Sequence, residues 1–556
     1  MAKEFTGTEH GFRDNVVEKL EVDDGHPNLE EPSTRRGAVA ALTFGLCLVS
    51  FAAAVDNTIL ATAIPRITSD FASLDYSAWY RNATLVVSTA LQLPLGKVYS
   101  LFNVIGTYLA SVVIFEIGSI MCAVAPNSST FIAGRIVAGV GTSALYSGAI
   151  NILGLYSPNQ IRPALFAIVS SMFGVASLVG PPLGGAFTDS PRTTWRWCFW
   201  INLPIGAVAG VCMFASIRAS RGHRLTSNKE HEKNSQISAP ISLQQKFFQL
   251  DPLGTLLLIP AVASLLIALQ WGGTTYDWKD GRVWGCLLCS GLLLIAFVAV
   301  EIRLGNDAMI PPQLIGRRSL LVGVLFIAAL SAAMYTHVFF LPFYFQVVLG
   351  LSATNSGLRT LAYVGTMALS GVFAGGAMSS AKGGWVSKHK PYAWLGASLF
   401  ATGAGLLHTL APDSSTARMV GYQLLAGIGL GVAWQVPFVA IQRDKTLALI
   451  PGEVQAIANA LVVFSTSFGA ALGIAAAQNI FSGSLAQGLS MISGVTPEQV
   501  DSITRGGLVT GFRDPNVFNS QLVASIVKAF NDSIGASFIF PICMGTLAAF
   551  LGLIFP

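Results

Sequence analysis

The chain has 556 residues, of which 53% are hydrophobic and only 11% carry a charge. Soluble domains average about 25% charged residues, so this composition excludes an ordinary soluble protein and indicates a membrane protein with many apolar segments. The net charge of +5 is small and the basic residues lie in short segments between apolar runs, which argues against a nucleic-acid partner.

Residues 1–36 are polar and lack the apolar core of a signal peptide, so we expect a disordered cytoplasmic tail. The first span follows at about residues 37–64 and contains Asp56 roughly two-thirds of the way along. A carboxylate at that depth is costly and normally faces a cavity or a partner. Asp56 is therefore the first candidate for proton binding; the alternative is a static hydrogen bond between helices.

Two further ionisable residues fall in the next spans, which we expect at about residues 79–101, 104–125 and 131–155. Glu116 lies within FEIGSIMC, and Arg135 lies near the start of IAGRIVAGVG. Arg135 can extend its long side chain to the membrane surface, or it can face inward beside Asp56 or Glu116.

The fifth span contains GVASLVGPPLGGAFTD, in which glycines surround a proline pair: Gly174, Gly180, Pro181, Pro182, Gly184 and Gly185. In a membrane, glycines let helices approach closely, and neighbouring helices satisfy the backbone groups that proline frees. We expect a bent, closely packed helix, which suits a wall between two parts that rock against each other. The alternative is a helix whose glycines serve packing alone. The sixth span follows at about residues 201–217.

The spacing of the spans changes after residue 217. Residues 218–250 are polar and basic and predict a cytoplasmic linker, and residues 251–304 contain two apolar segments that predict a helical hairpin. The last unit occupies residues 305–556, with spans at about 320–348, 356–378, 391–410, 419–441, 457–481 and 533–555. The prediction is fourteen spans: six within residues 37–217, two inserted, and six in the last unit.

If the N-terminus is cytoplasmic, Lys and Arg are more numerous in the segments on the cytoplasmic side than in those on the outer side, as the positive-inside rule predicts. Three Asn-x-Ser/Thr glycosylation sequons, at Asn82, Asn127 and Asn531, fall on the predicted outer side. Cys286 and Cys289 form a CxxC without further ligands, so we expect no metal site.

Several of these segments resemble motifs of the major facilitator superfamily. GVASLVGPPLGGAFTD resembles its antiporter motif, motif C, and WRWCFWINLPIG is similar to the segment that follows it in fourteen-span drug:proton antiporters. AVDNTILATAIPRI resembles their first-helix motif, and Arg135, Gly139 and Gly141 have the spacing of motif B, which favours an inward-facing arginine. The resemblance spans nearly all of residues 37–555. It implies an all-α polytopic membrane protein with a major facilitator fold, in which two six-helix bundles rock around a central site.

One motif departs from the family pattern. Gly96 and Lys97 of the general loop motif are in place, but Ser100 stands where the family has Asp, and Val104-Ile105 stand where it has a basic pair. The resemblance therefore does not imply a charge-based gate at this loop.

The resemblance implies a proton antiporter that exports small hydrophobic compounds, and GKVYSLFN and FEIGSIMC look like segments of fungal toxin and multidrug exporters, whose cargo is often a secondary metabolite. Asp56, Glu116 and Arg135 are then the candidates for proton coupling. Polar and aromatic residues on the ninth and twelfth spans suit a flat, weakly polar substrate: Tyr335, His337, Tyr344, Gln346, Gln423, Trp434 and Gln435. His337 is also compatible with a role in packing alone.

We expect a monomer without a cofactor, driven by the proton gradient, in the plasma membrane or alternatively the vacuolar membrane. A proton-coupled importer of a siderophore or amino acid is the nearest alternative, although charged cargo calls for ionised cavity residues. A membrane-embedded enzyme needs a cluster of His, Asp or Ser at membrane depth, which the sequence lacks. A transporter-like sensor is a further alternative.

Overall fold

A computed structural model describes most of the chain: residues 33–71, 77–158, 161–190, 193–216, 218, 249–273, 276–305, 308–378, 388–443, 452–496, 499–500 and 520–555. Within these ranges the chain is helical, and the only bridge is an isolated one between Gly272 and Tyr276. The predicted tail and most of the predicted linker lie outside the described residues.

The first bundle consists of seven helices: α1 Ser33–Thr58, α2 Leu60–Asp70, α3 Ser77–Leu101, α4 Val104–Ala123, α5 Ser128–Tyr156, α6 Arg162–Asp189 and α7 Trp197–Ser216. Side chains cap two of the starts. Asn103 accepts a hydrogen bond from the amide of Gly106 at α4, and Asn127 accepts one from the amide of Thr130 at α5. Both caps satisfy an amide that has no partner within the helix.

The first predicted span is broken at Ile59. The hydroxyl of Thr58 bonds back to the carbonyls of Ala54 and Val55, each at 3.2 Å, and to the carbonyl of Ala176 on α6 at 3.0 Å. Such back-bonding competes with the main-chain ladder and bends helices. The predicted span therefore consists of two helices, α1 and α2, instead of one.

The expected bend in the fifth span is confirmed. Its two halves, Arg162–Ser177 and Pro182–Thr188, meet at 43°. The break, at residues 178–181, ends at the Pro181-Pro182 pair, where two consecutive residues lack the amide proton that a helix needs.

The remaining helices form the inserted hairpin and the second bundle. The hairpin is α8 Pro252–Trp271 and α9 Gly281–Leu304. The second bundle contains α10 Pro312–Ile315, α11 Arg318–Phe343, α12 Ala353–Met378, α13 His389–His408, α14 Thr416–Trp434, α15 Val436–Arg443, α16 Gly452–Ser490 and α17 Ser520–Ile554. A π-helical turn, Tyr344–Val348, extends α11.

The two bundles repeat one pattern of helix contacts. In the first, α4 and α3 both pack on α5, and α1 packs on α6; in the second, α13 and α12 both pack on α14, and α11 packs on α16. The bundles meet along two seams, α3 with α16 and α6 with α12. The inserted α8 packs on both α3 and α16, so the hairpin covers the first seam from outside.

Within the described residues, eleven helices are long and apolar enough to cross a bilayer, or twelve if the bent pair in α6 forms one span. The chain is therefore an all-α polytopic membrane protein, as expected. The helices Ser77–Leu101 and His389–His408 occupy predicted spans but are not among the twelve. The exact number of fourteen spans stays a prediction.

Candidate functional site

A buried ion pair joins α1 to α5. Nη1 of Arg135 lies 2.5 Å from Oδ2 of Asp56, and both side chains are fully buried. Nε of Arg135 donates to the carbonyl of Tyr80 at 3.0 Å, which holds the guanidinium toward the bundle interior. The inward-facing arrangement of Arg135 is therefore the one observed, and it does not extend to the membrane surface.

The other carboxylate oxygen of Asp56 faces Asn202 of α7. Nδ2 of Asn202 lies 3.5 Å from Oδ1 of Asp56, at the limit of a hydrogen bond, and donates to the Ser119 hydroxyl of α4 at 3.1 Å. The ring of Phe199, also on α7, lies 5.9 Å from the Arg135 guanidinium. Five helices, α1, α3, α4, α5 and α7, thus surround the pair.

Glu116 lies between α4 and α7. Both oxygens of its carboxyl group are buried and have no hydrogen-bond partner among the described residues. The carboxyl group rests against Gly206, where a Cβ atom would overlap it. Glu116 and Asp56 both contact α7, Glu116 at Gly206 and Asp56 at Asn202.

The glycines of the bent helix α6 face two different neighbours. A Cβ atom at Gly180 would overlap the hydroxyl of Thr58, two residues from Asp56, and one at Gly174 would overlap Val364 of the second bundle. Gly185 has open space at this position, and Gly184 accepts a bond from the hydroxyl of Thr188 at 2.5 Å. The helix therefore contacts both the ion-pair helix and the opposite bundle.

A cavity of about 720 Å³ lies between the bundles. Helices α1, α3, α5 and α6 form one wall, and α11, α12, α14 and α16 form the other. Helix α1 presents Ser50, Ala53 and Asn57 to the cavity, whereas Asp56 points to α5. The ion pair and the cavity thus lie on opposite faces of the same helix.

The described residues that line the cavity include no Asp, Glu, Lys, Arg or His. The first-bundle wall carries hydroxyl and amide groups, among them Asn57, Ser88, Gln92, Thr142, Tyr146 and Ser170. The second-bundle wall carries most of the large apolar groups, among them Met334, Tyr335, Phe339, Phe343, Met367 and Trp434. Such a cavity fits an uncharged molecule with a few polar atoms, since an ion would lose its hydration without a counter-charge.

Three of the seven residues expected at the substrate site, Tyr335, Gln346 and Trp434, line this cavity. The other four are buried elsewhere and are not in its wall. His337 lies among aromatic rings, and the Tyr344 hydroxyl donates to the carbonyl of Ala411 at 2.8 Å. Gln423 bonds back to the carbonyl of Met419 on its own helix, and Gln435 is buried. Whether any of the seven binds substrate stays a prediction.

Direct contacts join the bundles where α3 and α5 end. Lys97 donates to the carbonyl of Ala308 at 2.6 Å, and Asn459 of α16 donates to Asn151 of α5 at 2.8 Å. A Cβ atom at Gly96 would overlap the Ala460 side chain. This end is cytoplasmic in the predicted topology, and the two bundles pack directly on each other there.

The sequons differ in their surroundings. Asn127 is exposed at the start of α5, whereas Asn531 is half-buried on α17 and its neighbour Ser533 is buried. Asn82 lies on α3, and its side chain is outside the described residues. Glycosylation at these positions stays a prediction.

Sequence reasoning missed Asn202, Ser119 and Thr58. Asn202 had a recognisable signal, because a lone amide within the apolar run FWINLPIG is costly at membrane depth unless it has partners. Ser119 and Thr58 had none, since small hydroxyl residues in membrane helices usually bond to their own backbone.

The profile of the Major Facilitator Superfamily matches residues 46–474. The chain is 36% identical over 538 residues to the "MFS-type transporter phomT" of Diaporthe leptostromiformis, and the match covers 96% of this chain and 86% of that protein. It is 34% identical over 527 residues to the "Efflux pump roqT" of Penicillium rubens, covering 94% and 92%. Among solved structures, the proton:xylose symporter XylE is similar in fold, with a TM-score of 0.53 at 14% identity over 93% of this chain and 95% of XylE.

Proposed function

The chain belongs to the major facilitator superfamily, and from this premise we propose that it exports small, uncharged, largely apolar organic molecules in exchange for protons. The observation that carries the proposal is the pairing of an uncharged cavity between the bundles with a buried ion pair on the opposite face of α1. The names of the relatives, transporters and efflux pumps, support export rather than catalysis.

Asp56 is the proposed proton carrier. While it is ionised, its bond to Arg135 holds α1 and α5 together. Protonation removes the charge attraction, so α1 can shift relative to α5, and the Thr58 and Gly180 contacts pass that shift to α6. Because α6 also packs on α12 of the second bundle, the shift reaches the seam that opens and closes the cavity. Glu116 is the proposed second carboxyl group of the same site.

Import of a siderophore or amino acid is less well supported. Charged cargo requires counter-charges, and the described cavity lining offers none. We place the protein in the plasma membrane, with the vacuolar membrane as the alternative, because either location lowers the cytosolic concentration of an exported compound.

The test is proton-gradient-driven transport by purified protein in liposomes, with matched pairs of uncharged and cationic aromatic compounds. We expect transport of the uncharged member of each pair only.

Asp56→Asn should abolish transport driven by the gradient while retaining exchange of labelled for unlabelled substrate without a gradient. Asp413→Asn, at an exposed loop position, is the matched control and should behave as the wild type. Gradient-driven transport by Asp56→Asn at the wild-type rate would refute the role of Asp56.

A further inference from the structure

The side-chain amide of Asn202 has an unusual hydrogen-bond balance. Asn202 is fully buried, and its Nδ2 serves both Ser119 and, at 3.5 Å, Asp56. Its Oδ1 is buried and has no partner among the described residues. Since buried acceptors are nearly always paired, an open acceptor beside an ionisable group calls for an explanation.

Asp56 needs different partners in its two charge states. The carboxylate needs donors, and Arg135 supplies one at Oδ2. The protonated acid has gained an O–H group, which needs an acceptor. On the Oδ1 side of Asp56, the polar side chain within reach is Asn202, which carries a donor on one edge and an acceptor on the other.

We propose that Asn202 is a positioning residue that hydrogen-bonds Asp56 in both charge states, donating from Nδ2 to the carboxylate and accepting at Oδ1 from the protonated acid. The change requires only a half-turn of the terminal amide. The proton comes from water, forms an O–H bond at Oδ1 of Asp56, and returns to water on release. The inference rests on the proposed function, because it takes Asp56 as the residue that binds the proton.

Other groups also face Asp56 and must be accounted for. Arg135 on α5, Glu116 and Cys122 on α4, and Cys198 on α7 all interact electrostatically with it. From α3, the Tyr80 hydroxyl is already paired with Ser128, and α6 contributes the carbonyl of Ala176 through Thr58. None of these groups changes in an Asn202 variant, so a change in pH dependence can be assigned to the amide.

The decisive variant is Asn202→Leu, which keeps the approximate size and removes both donor and acceptor. The ionised Asp56 loses only a 3.5 Å contact and keeps Arg135, whereas the protonated Asp56 loses its acceptor. Proton binding should therefore weaken about tenfold, and the pH of half-maximal proton-driven transport should fall by about one unit. Asn202→Ser, whose hydroxyl both donates and accepts, should recover part of the shift.

Ser119→Ala is the matched control, because it removes the same bond between α4 and α7 but leaves the amide of Asn202 in place. We expect the wild-type pH midpoint for Ser119→Ala. Equal shifts in Ser119→Ala and Asn202→Leu would show a packing role and overturn the inference, as would an unchanged or raised midpoint in Asn202→Leu. If the leucine variant does not fold, Asn202→Ala replaces it, with a smaller shift expected in the same direction.

The two proposals fail in different ways. Gradient-driven transport that survives in Asp56→Asn contradicts the proposed function. Transport that is lost in Asp56→Asn, together with a wild-type midpoint in Asn202→Leu, contradicts only the role of Asn202.

Discussion

The two bundles share one arrangement of helices but enclose different interiors. In the first, Asp56 of α1 lies among α4, α5 and α7 and pairs with Arg135. In the second, His337 of α11 lies among α12, α13 and α17, the counterparts of α3, α4 and α7. There the neighbours are the rings of Tyr363, Phe400 and Phe538, with centroids 5.7, 5.8 and 5.1 Å from the imidazole.

The comparison shows that the helix arrangement of a bundle can form without a buried ion pair. Among the described residues, the Asp, Glu, Lys and Arg residues that are buried as a whole are Asp56, Lys97, Arg135 and Asp251, and none lies in the second bundle. Glu116 of the first bundle is half-buried, with both carboxyl oxygens inside. A buried ion pair costs desolvation free energy that aromatic packing avoids. Since the second bundle shows that the same helix arrangement packs around rings, the fold does not require the ion pair of the first.

The largest expected effect comes from breaking the pair on one side. Arg135→Met leaves the Asp56 carboxylate buried without its partner, which costs about 3–5 kcal/mol. We expect a strongly lowered melting temperature in detergent and no proton-driven transport. The double variant Asp56→Asn/Arg135→Met removes both charges and should recover much of the melting temperature but not the transport. A wild-type melting temperature for Arg135→Met would mean that the stability of the first bundle does not depend on the ion pair.

The sequence predicted most of the fold and singled out the charged residues that the structure brings together, whose role stays a prediction. The apolar runs locate the helices, and the rarity of ionisable residues at membrane depth singles out Asp56 and Arg135. The proline pair in GPPLGG predicts the bend in α6. These features depend on composition and local backbone chemistry, which a single sequence contains.

The cavity wall could not be predicted equally well, because it depends on how each helix is rotated about its axis. Tyr335 and His337 are two residues apart, so they point to nearly opposite sides of α11, and only Tyr335 lines the cavity. Trp434 and Gln435 are adjacent and also diverge, with only Trp434 in the wall. Naming the polar residues of a helix does not establish which of them face the same neighbour.

A medium effect is expected where the bundles are alike. A Cβ atom at Gly141 would lie 2.5 Å from the amide nitrogen of Phe115, and one at Gly403 would lie 2.5 Å from that of Ala426. Backbone atoms cannot move aside as a flexible side chain can, so Gly141→Ala and Gly403→Ala should each destabilise the protein by about 1–3 kcal/mol. Melting temperatures in detergent measure the effect.

Each of these variants has a control in the same helix, since a Cβ atom at Gly154 or at Gly405 would meet no neighbouring atom within 4 Å. Gly154→Ala and Gly405→Ala should leave the melting temperature close to that of the wild type. A large fall in melting temperature for the variant of one bundle and none for that of the other would show that the two bundles are packed unequally despite their shared helix contacts.

The smallest expected effect tests whether the second bundle takes part in proton coupling. Nε2 of His337 is buried without a partner among the described residues, and Nδ1 makes only a 3.3 Å contact with the Tyr363 hydroxyl. His337→Phe adds a fourth ring to an aromatic cluster and removes an unpaired polar atom, so stability should change by no more than about 1 kcal/mol. The pH midpoint of transport should stay at the wild-type value, because no charge in the second bundle depends on this imidazole. A shifted midpoint would mean that both bundles bind protons. The two interiors would then differ in the residue that carries the proton, Asp56 or His337, and not in whether a proton is bound.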